Sequence, residues 1–320
     1  MSSKGQPERR FRFSAAASRP VSGAKLAEEA RRAESLGYSA LVFSDHLLDQ
    51  LAPIPAMATV AAATRKLRIG TFVLNNDLRH PAVLAQDLAT LDLLSEGRLE
   101  IGIGAGWNRP EYLAAGIPMD SAGRRIGRME EAIQVLKGLL AGGPFSFSGE
   151  HYQVTAMEGG PRPVQVPHPP LLVGGGGRRV LGVAAREAQM VGLAPRAGAA
   201  GGPDITSAML PATVEKIGWI REAAGERIDE IEINTYPGLG VPQITDNDRP
   251  ALEELAAALT ARFGVELGVD ELRASPHVFI GTVHDLVEKL RHLRDTLGIS
   301  SVMTGPIDVL APVVERLAGS

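Results

Sequence analysis

The chain has 320 residues, of which 44% are hydrophobic and 22% charged, and a net charge of −4. That suits an ordinary globular protein with room for a large core, and offers no field to draw it to nucleic acid or an anionic membrane. Cysteine is absent, which excludes disulfides, thiolate metal sites and a cysteine nucleophile but leaves the redox compartment open.

In chain order, residues 1–10 are polar and lack the apolar stretch of a signal peptide. They are expected to be a disordered lead-in to one domain over 11–320, in a cytoplasmic protein. No apolar run approaches the roughly 20 residues of a membrane span. Residues 11–17 read as a first strand. Ser22 caps a helix running to Ser35 and closed by Gly37, with Leu26, Ala30 and Ala33 as its buried stripe. Residues 38–44 form a second strand ending in Asp45-His46, and 53–64 a short alanine-rich helix. Residues 67–73 are a buried strand by length and β-branched content. Over 81–95, Val83, Leu84, Leu88, Leu91 and Leu94 recur at helical spacing, behind Pro81 and ahead of Gly97. A fourth strand over 98–103 leads into Gly104, Ala105, Gly106, Trp107 and Asn108, and a long helix covers 123–140.

Residues 145–154 resemble an inserted hairpin, followed by a proline-rich connector. A fifth strand, 171–173, runs straight into Gly174, Gly175, Gly176 and Gly177 and a helix over 178–186. Strand six covers 189–193. The glycine- and alanine-rich loop 195–207 has no periodicity and is expected to be mobile. A helix over 210–224, strand seven over 230–234 and a long excursion over 235–275 with one helix at 249–263 follow. The chain closes with a helix over 282–297, strand eight over 300–303 and a last helix over 308–317. Eight strand–helix units favour an α/β fold of the (β/α)8 TIM-barrel type, with insertions at 144–167, 194–208 and 235–275 on its C-terminal face. Two doubly wound domains would need a boundary in 145–170, where the composition is not that of a flexible linker.

Ligands of such folds sit beyond the carboxyl ends of the strands. Four groups lie there. Asp45-His46 could move a proton near neutrality, or simply cap its loop. Asn75, Asn76, Arg79 and His80 suit carbonyls, ring nitrogens or phosphate, or cap the helix at Pro81. The turn Gly174 to Gly177, followed by Arg178 and Arg179 at a helix start, suits an anion, or serves as a plain turn. The glycines before Trp107 could admit a flat ring with Trp107 as a wall, or form a tight turn beside a core tryptophan. The glycine turn is neither a P-loop nor a dinucleotide fingerprint, and the seven histidines are scattered without metal-ligand spacing.

Taken together, the segments GYSALVFSDH (37–46), RIGTFVLNNDLRHPAVLAQDLATLDLLSEGRLEIGIGAGWN (68–108), RPVQVPHPPLLVGGGGRRVLGVAAR (162–186) and FIGTVHDLVEKLRHL (279–293) resemble the bacterial luciferase-like flavin and deazaflavin oxidoreductases. The resemblance covers nearly the whole chain. It implies a barrel with a ring-shaped cofactor on a bulged, often cis, non-prolyl peptide near Val73 and Leu74. Asp45, Asn75, Ala105, Gly106 and Trp107 would surround that ring, and Gly174, Gly175, Gly176, Gly177 and Arg178 would hold the cofactor phosphate. Asp45 and His46 would be the catalytic pair, with His46 transferring a proton. The sugar-phosphate dehydrogenase branch carries a glutamate after strand four where this chain has Trp107, which counts against that reaction and leaves the partner of His46 unidentified. The implied cofactor is coenzyme F420, with FMN as the alternative.

The expected activity is hydride transfer between F420 and a small organic substrate. The alternatives are an FMN-dependent monooxygenase fed by a separate flavin reductase, and a cofactor-binding module without catalysis. The resemblance also implies a homodimer joined through helices two and three. No metal, nucleic-acid or membrane partner is expected.

Overall fold

The computed structural model describes residues 9–198 and 202–320. Most of the expected lead-in (1–8) and part of the expected mobile loop (199–201) lie outside these residues. Eight strands, several of them short apolar runs buried on both faces, make up the main sheet. They are β1 (Arg12–Ala16), β2 (Ala40–Phe43), β3 (Arg68–Thr71, resuming at Leu74–Asn75), β4 (Leu99–Gly104), β5 (Leu171–Gly175), β6 (Met190–Leu193), β7 (Glu232–Thr235) and β8 (Ile299–Met303). Every neighbouring pair is parallel. β1 pairs with both β2 and β8, and β3 pairs with β4, so the sheet closes into a TIM barrel.

The helices surround it: α1 (Gly23–Ser35), α2 (Pro53–Ala63), α3 (Pro81–Leu94), α4 (Arg109–Ala114), α5 (Ala122–Ala141), α6 (Arg178–Glu187), α7 (Leu210–Ala224), α8 (Asp248–Phe263), α9 (Val269–Ala274), α10 (Val283–Leu297) and α11 (Ala311–Leu317). Their starts follow local chemistry. The Ser22 side chain accepts from Lys25 N at α1, and Thr282 with Asp285 forms a capping box at α10.

The amino end of the barrel is closed by charge. Arg12 bridges Glu100 and Glu232, and Arg68 also reaches Glu100. Above this cluster lies a cavity of about 20 Å³ lined by Ser14, Thr71, Phe72, Asn234 and Ser301 among others. Phe11 and the last residues of the chain meet below it. Phe11 N donates to Ser320 O at 3.0 Å and Gly319 N to Phe11 O at 3.1 Å. Arg9, at the end of the expected lead-in, donates to the carbonyls of Ile228 and Ile231.

Three local features differ from the sequence reading. β3 stops at Thr71, the Phe72–Val73 bond that follows is cis, and pairing resumes at Leu74. The hairpin is longer than expected, pairing Pro144–Ser148 with Gln153–Glu158. In the loop that showed no periodicity in sequence, Arg196–Ala197 pairs with Pro203–Asp204, and a 3-10 turn spans Ile205–Ala208. Lys216 of α7 ties that segment down by donating to Ala194 O and Ser207 O, both at 2.7 Å. The excursion after β7 carries a second small core of Leu239, Leu252, Leu259, Leu272 and Val278, packed with Ile205, Ala208 and Met209.

Candidate active site

The carboxyl ends of β2, β3 and β4 form one wall of the barrel mouth. After Thr71 the chain turns through the cis Phe72–Val73 bond, one residue earlier than the expected Val73-Leu74 position. The Val73 side chain then lies against β4. A Cβ on Gly104 would stand 2.8 Å from Val73 Cγ2, and one on Gly102 would run into the Thr71 carbonyl. The glycines of β4 thus make room for the bulge.

Asp45 and His46 are adjacent in sequence and turn to different partners. Asp45 is buried and takes a bidentate pair from Arg79 at 2.6 and 3.0 Å, plus the Asn75 backbone N–H at 3.0 Å. It fastens the end of β2 to the loop after β3. The His46 ring faces away from this clamp, with Nδ1 3.0 Å from Glu111 Oε2. Glu111 lies in the first turn of α4 and is only 7% exposed. Its second oxygen, Oε1, is buried and has no hydrogen-bond partner among the described residues. A carboxylate on Nδ1–H leaves Nε2 of neutral His46 as the proton acceptor. Trp107 stands edge-on to His46 at 5.7 Å and is 59% exposed, so it is a rim residue and no part of the core. Leu47, Leu48, Pro110, Ala114 and Ala115 line a cleft of about 420 Å³ beside Glu111.

Gly106 holds this region together. Its φ of +74° suits glycine, and a Cβ there would come within 2.6 Å of Asn75 Oδ1 and strike the Tyr112 hydroxyl. That hydroxyl lies 3.0 Å from Asn75 Oδ1 and 2.9 Å from Asp77 Oδ2. Burial pushes the phenol up to about 12. Arg128 of α5 donates to Asp77 at 2.8 Å. Leu74 is buried at the base of this wall, and Ala105 packs against the core beside it.

Across the mouth, Phe72 meets Tyr236 edge to face at 5.5 Å. Tyr236 follows β7, which stands opposite β3 in the ring of eight strands, so the two rings floor the mouth above the small cavity. His277 packs edge-on behind Tyr236 at 5.5 Å. Its Nδ1 lies 3.0 Å from the Tyr236 carbonyl, which accepts its proton. Complete burial pushes this imidazole down to about 4, so it is neutral near pH 7.

The glycine turn adjoins β4 through β5. Gly174 and Gly175 end the strand, Gly176 abuts the Ala194 carbonyl, and Gly177 has open space where a side chain would be. Gly177 also begins α6 with no side-chain cap, and no side chain of the described residues occupies the first-turn N–H groups. The two arginines turn elsewhere: Arg178 pairs with Glu222 at 2.7 Å and Arg179 donates to Gly123 O at 2.8 Å.

The structure therefore gathers Asp45, His46, Val73, Leu74, Asn75, Ala105, Gly106 and Trp107 at one wall, with the glycine turn beside them. Glu111 and Tyr236 are the residues that sequence reasoning passed over. The available signal for Glu111 was a carboxylate four residues past Trp107. A six-residue helix containing Pro110 offers no periodicity to display it. Among the described residues no group of His, Asp and Glu could hold a metal ion, and no helix is long and apolar enough to cross a membrane.

The sequence matches the model of the luciferase-like monooxygenase family over residues 10–294. It is 30% identical to an F420-dependent glucose-6-phosphate dehydrogenase of Nakamurella multipartita over 276 residues, covering 83% of this chain and 77% of that one. It is 36% identical to an FMNH2-dependent dimethylsulfone monooxygenase of Pseudomonas putida over 125 residues, 39% of this chain and 34% of that one. The coenzyme F420-dependent tetrahydromethanopterin reductase of Methanopyrus kandleri superposes with a TM-score of 0.76 at 19% identity, covering 97% and 98% of the two chains.

Proposed function

The chain belongs to the luciferase-like monooxygenase family, and from that premise we propose that it is an F420-dependent oxidoreductase acting on a small organic substrate. The observation that carries the reading is the His46–Glu111 pair, 3.0 Å apart at the mouth beside the Phe72–Val73 bulge. The chain's residues fit the cofactor. Phe72, Val73 and Tyr236 offer a flat apolar floor, and the uncapped start of α6 at Gly177 offers N–H groups to an anionic tail. When bound, the coenzyme supplies the hydride chemistry.

The protein's part is proton management and positioning. Glu111 orients His46, and Nε2 exchanges the proton that accompanies hydride transfer. Asp45, locked on Arg79 and Asn75 N–H, holds the β2 and β3 ends in register, so its contribution is positional. Trp107 occupies the position where the resemblance sets a glutamate. Glu111 brings a carboxylate to His46 from one helical turn further on, so the missing acid at 107 is no argument against an acid–base pair.

Titration of the purified protein with oxidised F420 and with FMN, followed by fluorescence, tests the reading. Micromolar binding of F420 is expected. Binding of FMN alone would reverse the cofactor assignment. The segment similarity to the dimethylsulfone monooxygenase supports a second reading, an FMN-dependent monooxygenase, which predicts oxygen uptake when a flavin reductase is supplied.

A further inference from the structure

We propose that the Tyr236 hydroxyl donates a hydrogen bond to a carbonyl oxygen of the planar cofactor ring resting on the Phe72–Val73 bulge. This assignment depends on the cofactor reading above.

Tyr236 is the first residue after β7 and is half-buried at the mouth. Its ring touches the Phe72 ring across the barrel, so a flat molecule laid on the bulge comes to rest beside it. Among the described residues its hydroxyl has no hydrogen-bond partner. The residue is only half-buried, so this hydroxyl is open to the mouth and free to donate to a molecule laid on the bulge.

The ring is fixed from several directions. His277 packs behind it and takes the Tyr236 carbonyl, Thr235 Oγ1 donates to Pro276 O at 2.9 Å, and Gly238 leaves the space the ring fills. Burial pushes the phenol up to about 12, so near neutrality it is a donor. The position also separates two tasks. The proton pair and the exposed rim of Leu47, Leu48 and Trp107 lie on the β2–β4 side with the bulge, and Tyr236 meets a ring on that bulge from the β7 side opposite.

The test compares oxidised F420 binding to the wild type, Tyr236→Phe and Tyr236→Leu. Tyr236→Phe keeps the edge contacts with Phe72 and His277 and removes only the donor. Its Kd is expected to rise about tenfold, the ordinary effect of one hydrogen bond, and the carbonyl stretch of bound coenzyme should move to higher frequency in difference infrared spectra. Matching circular dichroism and melting curves would show that the variants fold. If Tyr236→Phe binds within twofold of wild type and only Tyr236→Leu weakens binding, the residue acts by packing and the proposal fails. If the wild type itself binds neither F420 nor FMN, the proposal and the cofactor reading fail together.

Discussion

Adjacent residues at a strand end point to opposite sides, and this decides the roles of Asp45 and His46. In sequence they look like one acid–base unit. In the fold Asp45 goes to Arg79, while His46 goes to a carboxylate 65 positions away. No local pattern could announce that contact, because it depends on where α4 docks. His46→Ala and Glu111→Gln are therefore expected to bind F420 as the wild type does and to slow turnover 10²–10⁴-fold, read by stopped-flow absorbance of the coenzyme. Full turnover by His46→Ala would remove its assignment. His277 makes a prediction of a different kind. Its folded pKa of about 4 lies below the ordinary 6.5, so between those values the unfolded chain takes up a proton that the folded one refuses. Stability should thus fall as pH drops from about 6.5 towards 4, by up to roughly 1.4 kcal/mol per pH unit. Urea denaturation across that range checks the slope, which His277→Leu should flatten.

The elements were most legible where burial is two-sided. β2 and β4 are buried along their whole length; β2 reads as an uninterrupted apolar run and β4 is broken only by Glu100. Long amphipathic helices such as α5 and α10 were equally plain. The break in β3 was hidden from strand propensity, because Phe72 and Val73 are good strand residues, and only the family resemblance announced a bulged peptide there, one residue further on. α4 and α9 were missed because six residues hold less than two turns. Elsewhere the surface carries apolar side chains that the barrel does not use. On α3, Val83 and Leu94 are separated by three helical turns, share a face and are 59% and 63% exposed. α2 beside it carries no charged residue. We propose that this face joins two copies of the chain. Leu94→Glu is expected to convert a dimer into a monomer in size-exclusion chromatography with light scattering, while leaving F420 affinity unchanged.

For the whole molecule, the alternation of strands and helices foretold the closed barrel, since eight parallel units with short connections have few other ways to bury both faces of the sheet. What the alternation does not convey is how the lumen is filled. Its amino end is an ion cluster of Arg12, Arg68, Glu100 and Glu232, four residues from four different strands. Glu100 is nearly buried and takes both arginines. Glu100→Gln leaves two cations facing each other and is expected to cost about 3 kcal/mol, seen as a lowered urea midpoint with an unchanged slope. An unaltered midpoint would mean that the cluster is solvated and contributes little.

The hydrogen bonds that tie Phe11 to Gly319 and Ser320 place Phe11 and the last residues of the chain on the underside of the barrel, a full strand length from the mouth. Tags, fusion partners or attachment to a solid support joined at Phe11 or Ser320 therefore leave from the side away from the mouth. A short peptide linking the two would yield a circularly permuted enzyme, reopened for instance at the tip of the Pro144–Glu158 hairpin. Such a permutant would carry its new ends on the upper, ligand-facing side, where a tethered electron-delivery protein could be installed.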